Sequence, residues 1–279
     1  MYNKDKFRHR ISEIVIQGIY LCIGLLIAFP IIYAFFISFM DPAQVLTGGV
    51  NIIPKKWTLE NYYTALRSAP LMRFMWNSFV IAFVSSIVRI IVAAMAAFAF
   101  AFLDFPCKNF VFLLMLAPMM IPGDIVLVAN YRTVSQLGWI NTYLGMMIVF
   151  FVSALNIFML RQSFMTFSMS LKEAAHIDGC SNFKFFVRIL LPTNASTLMT
   201  VFITAFIGTW NTYLWPLMVT NRTEMRTVQV GVTMLNFSEG TVYGPIMAAS
   251  MVILVPSLAL FLLFQKRIVA GMMSGGVKG

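Results

Sequence analysis

The sequence predicts an all-α, polytopic membrane protein with about six transmembrane helices. Three observations predict it. The chain has 279 residues, of which 60% are hydrophobic and only 11% charged, with mean hydropathy +0.84. A soluble domain carries about 25% charged residues, so this much apolar surface needs lipid as its solvent. The apolar residues gather in runs long enough to cross a bilayer, which takes roughly 20 residues per helix. The Lys and Arg residues behind the net charge of +10 stand at the ends of these runs. That is a membrane pattern and not a nucleic-acid-binding face.

The N-terminus carries Lys4, Lys6, Arg8 and Arg10 ahead of the first apolar run. That run, 14–39, is too long for the core of a cleaved signal peptide and lacks a small-residue cleavage site, so it reads as a retained helix. The remaining predicted spans are 74–103, 109–130, 142–164, 195–219 and 245–265. With the N-terminus in the cytoplasm, twelve Lys and Arg residues fall on inside segments and seven on outside ones, with Arg89 in a span. This bias places both termini inside. Pro118 and Ile121-Pro122-Gly123-Asp124 interrupt the third span, Pro216 the fifth and Pro256 the sixth. Proline removes a backbone donor and kinks a helix. In lipid, the freed carbonyls must be satisfied by neighbouring helices or a wet cavity.

Cys22, Cys107 and Cys180 are too widely spaced for a disulfide framework or metal site, and His9 and His176 are the only histidines. No G-x-x-x-x-G-K-[ST] phosphate loop occurs. A membrane-embedded enzyme would need clustered acid–base groups, and an ion-coupled transporter would need intramembrane ionisable residues. The spans offer little beyond Arg89 and Asp124.

The segment 165–194, between the fourth and fifth spans, reads as two short helices and a sharp turn. Ser170 and Glu173 have capping-box spacing. Leu171, Ala174 and Ala175 read as one helical face. Gly179 fits the left-handed residue that ends a helix, and Ser181 suits the next N-cap. Phe183, Phe186, Val187 and Leu190 follow at amphipathic spacing, and Pro192 reads as the stop before the fifth span. Such a compact helical hairpin suits insertion into a groove on a partner.

The hairpin resembles the EAA loop of binding-protein-dependent ABC importer permeases, through Glu173, Ala174, Ala175, Gly179, Ile189, Leu191 and Pro192. The likeness covers roughly 14–279. Asn77-Ser78, Met120-Ile121-Pro122-Gly123, Asn141-Thr142-Tyr143-Leu144-Gly145, Arg161-Gln162, Trp210-Asn211, Leu214-Trp215-Pro216-Leu217 and Gly275-Gly276-Val277-Lys278-Gly279 resemble the second permease of the carbohydrate-uptake, maltose-type branch. The resemblance implies a non-catalytic subunit with the type I ABC importer permease fold, forming half of a pathway for a sugar or oligosaccharide. The alternative is glycerol 3-phosphate or an acidic sugar, and an autonomous secondary transporter is the remoter reading. It also implies a cytoplasmic coupling loop in which Glu173, Ala174, Ala175, Asp178, Gly179, Ile189, Leu191 and Pro192 meet an ATPase. The implied partners are a second homologous permease, two copies of the nucleotide-binding ATPase, an extracytoplasmic solute-binding protein and the lipid bilayer, with no nucleic acid. This chain would bind no cofactor or metal itself, ATP and Mg being used by the partner ATPase. The implied setting is a bacterial or archaeal inner membrane.

The domain reading is a cytoplasmic segment 1–13, the first helix and external loop 14–70, a permease domain 71–268 and a C-terminal tail 269–279. Arg89 is costly at the centre of a span and must find a partner or a cavity. Arg89, Asn211 and Trp210 are the candidate pathway residues, while Tyr213 and Trp215 read as interfacial anchors. By the same resemblance, the external loop 220–244 offers Arg222, Glu224, Asn236 and Glu239 to a solute-binding protein.

Overall fold

The structure, a computed structural model, describes residues 2–46, 53–233, 235 and 243–274. The described residues are all-α. They contain no strand, only an isolated bridge between Met40 and Trp57. The chain divides into two compact units, Met1–Ala69 with Leu235–Leu254, and Pro70–Met234 with Val255–Gly279.

The first unit holds α1 (Tyr2–Ser38), α2 (Pro42–Leu46), α3 (Glu60–Ser68) and the start of α15 (Tyr243–Ser274). Residues Glu13–Ser38 of α1 are long and apolar enough to cross a membrane, and Leu26 and Ile27 lie open, as a lipid-facing surface requires. The last carbonyls of a helix lack intrahelical partners. Fully buried Asn61 supplies one, donating from Nδ2 to the carbonyls of Ser38 at 3.1 Å and Met40 at 2.7 Å.

The second unit is built around α4 (Leu71–Phe102), which packs along α8 (Ala154–Met165) and α12 (Ala195–Trp210). Ala93, Ala94 and Ala97 keep one stretch of α4 slim, and Ile157, Leu160, Phe164 and Val201 fill the same core. Small residues let helices approach closely where no hydrophobic force separates protein from lipid. A second core near the start of α4 joins Ile81 to Val134, Met146, Trp215 and Val219. These come from α6 (Leu127–Gln136), α7 (Tyr143–Met147) and α13 (Leu214–Val219).

Three unbroken helices can span a bilayer, and six spans result if each of three bent pairs counts as one. The first pair contains α5 (Lys108–Leu116) and α6 and turns by 91° beside Ile121-Pro122, at the break the sequence anticipates. The second turns by 49° between Phe150 and Ala154, where no proline marks it. There the chain restarts on Ser153, whose hydroxyl accepts the Asn156 amide at 3.4 Å.

The third pair corrects the role expected of Pro192. The helix begun by α10 (Asn182–Phe185) continues through a π turn at Phe186–Leu190 and through α11 (Leu191–Thr193), which contains that proline. Proline has no N–H for the Arg188 carbonyl, and the widened turn accommodates its ring. The 77° bend comes at Asn194. Its side chain donates to the Leu190 carbonyl at 2.9 Å and accepts from Ser163 Oγ at 2.7 Å. Two other prolines do not break their helices as expected. The fifth predicted span breaks at 211–213, ahead of Pro216, and Pro256 lies inside continuous α15.

Candidate functional site

The hairpin 165–194 joins two short helices through a turn closed by its own backbone. Its first helix, α9 (Met169–Ile177), starts two residues earlier than the expected capping box would place it. Ser168 is the N-cap, and Ser170 bonds the Ser168 hydroxyl at 2.7 Å instead of closing a box with Glu173. The helix ends as anticipated, with Gly179 at φ 75°. The Cys180 amide reaches the Ala175 carbonyl at 2.9 Å and the Gly179 amide the His176 carbonyl at 3.0 Å. This pair of bonds is a Schellman turn. Ser181 then caps α10, accepting the Lys184 amide at 3.3 Å.

The two faces of the hairpin differ from the expected stripes. Ala175 is buried, whereas Leu171 and Ala174 are exposed. Phe185, Phe186 and Leu190 are buried, while Phe183 and Val187 point outward. Across the π turn, more residues per turn bring Phe185 and Leu190, five positions apart, onto one side. Phe185 packs against Phe98 and Phe102 of α4, with ring centroids 6.5 and 5.7 Å apart. The outward face shows Leu171, Ile177 at 86% exposure and Phe183 at 73%, alongside Glu173, Ala174, Asp178 and Gly179. Ile189 and Leu191 are half-buried and Pro192 is exposed, at the end leading to the bend.

At the opposite end of α4 lies a strap, 220–233. It contains a short 3-10 turn at Thr223–Met225 and α14 (Val228–Val232). Buried Asn77 donates to the carbonyls of Glu224 at 2.8 Å and Arg226 at 2.9 Å, and accepts from the Tyr143 hydroxyl at 2.6 Å. Ser78 accepts the Val228 amide at 2.9 Å. Asn141, left-handed at φ 59°, accepts the amides of Asn221 at 2.8 Å and Arg222 at 3.0 Å. Gly145 is required by close approach, since a Cβ there would stand 2.2 Å from the Trp139 carbonyl oxygen. The motifs 77–78 and 141–145 thus hold the strap. Arg222 and Glu224 project from it, exposed, whereas Asn236 and Glu239 lie outside the described residues.

Arg89, half-buried midway along α4, donates from Nε to the Phe150 carbonyl, with its guanidinium 5.8 Å from the Phe150 ring centroid. Phe150 ends the first half of the second bent pair, where carbonyls are left free and a cation suits the helix end. A cleft of about 420 Å³ opens beside it, lined by Asp124, Asn130, Phe150, Thr212 and Tyr213 among others. The candidate pathway residues are not assembled there. Trp210 is buried and stacked on Phe206 at 5.9 Å, Asn211 accepts from Gln229 Nε2 at 3.3 Å, and neither Arg89 nor these two line the cleft. Sequence reasoning missed Asn130 and Thr212. The break at Pro122-Gly123 was the available signal for Asp124. Among the described residues no group of three or more His, Cys, Asp or Glu could hold a metal ion.

Residues 86–274 match the family described as "Binding-protein-dependent transport system inner membrane component". The chain is 33% identical over 268 residues to the sn-glycerol-3-phosphate transport system permease protein UgpE of Brucella melitensis, covering 92% of this chain and 95% of that one. It is 31% identical over 261 residues to the arabinooligosaccharides transport system permease protein AraQ of Halalkalibacterium halodurans, covering 92% and 93%. A crystal structure of a bacterial ABC transporter involved in import of the acidic polysaccharide alginate superposes with TM-score 0.81 at 24% identity, over 92% of this chain and 96% of that one. At that identity the superposition speaks for the fold.

Proposed function

The chain belongs to the family of binding-protein-dependent transport system inner membrane components, as a non-catalytic permease subunit of an ABC importer, and from that premise we propose how it is driven and what it carries. The hairpin 165–194 is the input, docked in the cytoplasm on an ATPase subunit that uses ATP and Mg. Both termini then lie on that side and the strap lies outside. A second homologous permease completes the pathway, a second ATPase copy sits under it, and a solute-binding protein delivers solute to the strap near Arg222 and Glu224.

One observation carries this reading. The hairpin is locked inward by Ala175, Cys180, Phe185 and Leu190, yet exposes Leu171, Ile177 and Phe183. Open apolar side chains around a tight Gly turn fit a protein groove and gain about 25 cal/mol per Å² once covered. The test is co-purification with the ATPase from cells expressing the whole importer. Ile177→Asp with Phe183→Asp removes the apolar anchors without touching the buried face. We expect loss of the ATPase with the permease pair still formed. Undiminished ATPase recovery sinks the docking assignment.

The cargo is read as a sugar or oligosaccharide. Asp124 is the one acidic residue among those lining the cleft, beside Asn130, Thr212, Phe150 and Tyr213. Amide, hydroxyl and aromatic groups suit an uncharged polyhydroxylated solute, and the Asp124 carboxylate disfavours a phosphate close to it. The names of the UgpE relatives favour glycerol 3-phosphate as the second reading. Calorimetry of the cognate binding protein with neutral oligosaccharides and with glycerol 3-phosphate separates the two.

A further inference from the structure

The C-terminal end of α4 is an unusual helix end. A helix leaves its last carbonyls unpaired and carries partial negative charge there. α4 has no basic residue in its own last turn. Three cations arrive from three other elements instead. Lys108, at the start of α5, reaches the Leu103 carbonyl at 2.7 Å. Arg161 of α8 reaches the Phe100 carbonyl at 3.4 Å, with its guanidinium 4.2 Å from the Phe112 ring centroid. Lys172 of α9 reaches the Phe102 carbonyl at 3.2 Å, with Nζ 5.2 Å from the Phe102 ring centroid. Of these three cations, Lys172 is the one carried by the hairpin.

Further along, α4 makes two more polar grips. Arg89 holds the Phe150 carbonyl at the broken second pair, and Asn77 and Ser78 hold the strap. At 1.5 Å per residue these levels lie roughly 20 Å and 38 Å from Phe102. One unbroken helix therefore touches the hairpin, the break beside the cleft and the strap.

We propose that Lys172 is the positioning residue that locks the hairpin to α4, making α4 the rod along which hairpin movement reaches the Phe150 break and the strap. This rests on the coupling role proposed for the hairpin. The aromatic packing of Phe185 and Phe186 on Phe98 and Phe102 already holds the two together. Apolar contact is non-directional, however, and lets one surface slide or roll over another. A charge-assisted hydrogen bond to a helix-end carbonyl fixes register and direction. Lys172 thus converts adhesion into a mechanical link.

The test uses the whole importer, with both permeases, the ATPase pair and the binding protein, in proteoliposomes. Uptake and ATP hydrolysis are measured together. Lys172→Met keeps a chain of similar length, the aromatic packing and the Gly179 turn. We expect the ATPase to stay bound and hydrolysis to persist, while solute moved per ATP falls about tenfold, the scale of one lost charged hydrogen bond. Lys172→Arg, which keeps the charge and the donors, restores most of the ratio. Spin labels at Asp178→Cys and Asp104→Cys, with Cys22 and Cys107 replaced by serine, add a direct readout. With Lys172 present they give one narrow separation with and without nucleotide, and with Lys172→Met the distribution broadens. An unchanged uptake-to-hydrolysis ratio in Lys172→Met, or loss of ATPase binding in that variant, overturns the lock. Failure of the unsubstituted permease to hold the ATPase overturns the coupling reading itself, and the lock with it.

Discussion

The hairpin 165–194 and the strap 220–233 sit at opposite ends of α4 and are held by different means. In the hairpin, the bonds that shape its turn run between near neighbours. Gly179 closes on His176, Cys180 on Ala175, and Ser181 caps Lys184. In the strap they run between distant parts of the chain, with Asn77 reaching Glu224 across 147 positions and Ser78 reaching Val228 across 150. A region held by its own short-range geometry keeps its shape while it moves as a body. A region held by remote side chains keeps its shape only while its anchors stay in place. The first arrangement suits a part that transmits force, and the second a part that is repositioned when helices shift.

The comparison breaks most severely at Gly179. Proline there fixes φ near −65° where the chain needs 75°, and removes the amide that bonds His176. The local cost is about 3 kcal/mol or more, confined to the hairpin because nothing lies within 4 Å of a Cβ at that position. We expect Gly179→Pro to abolish uptake while the protein still inserts and pairs with its partner permease. Uptake at the unsubstituted level would mean that the turn's shape is irrelevant to drive.

Next in size is the strap's principal anchor. Asn77→Leu leaves the Glu224 and Arg226 carbonyls and the Tyr143 hydroxyl without their partner. Stranding such groups costs about 2 kcal/mol. Amides of 220–228 should exchange with deuterium faster, while amides of 169–185 stay as they were. Binding-protein-stimulated ATP hydrolysis should fall, with basal hydrolysis retained. Equal acceleration in both regions would erase the distinction between local and remote support.

This distinction also governs what could be read from the sequence. Gly179 and Ser181 were legible because turn and cap rules act within a few residues. So were the apolar runs and the break at Pro122, which need only composition and one residue's covalent chemistry. The capping box at Ser170 and Glu173 was misplaced because Ser168 offers an equally good start two positions earlier, and sequence spacing does not choose between them. The stripe through Phe183 and Val187 assumed a uniform α-helix, and the π turn ahead of Pro192 shifted the buried side to Phe185. The bend at Phe150 carries no proline, and its partner Arg89 stands 61 positions away. Asn77, Ser78 and Asn141 could be recognised as a family-like pattern, but their task of holding the strap is long-range pairing, which no local rule encodes.

The smallest effect sharpens the comparison from the other side. Ser181→Ala removes one N-cap hydrogen bond, to the Lys184 amide, worth about 1 kcal/mol. The Schellman bonds at Gly179 remain, and Phe185 and Leu190 still fill the core, so the hairpin should keep its place. What changes is fraying of the first turn of α10, next to outward-facing Phe183. We expect uptake within about twofold of normal and a modest rise in amide exchange limited to 182–185, because only that turn has lost a partner. If this single cap were as damaging as Asn77→Leu, the hairpin would be a chain of interdependent contacts. Its stiffness would then have to come from the α4 core and not from its own backbone.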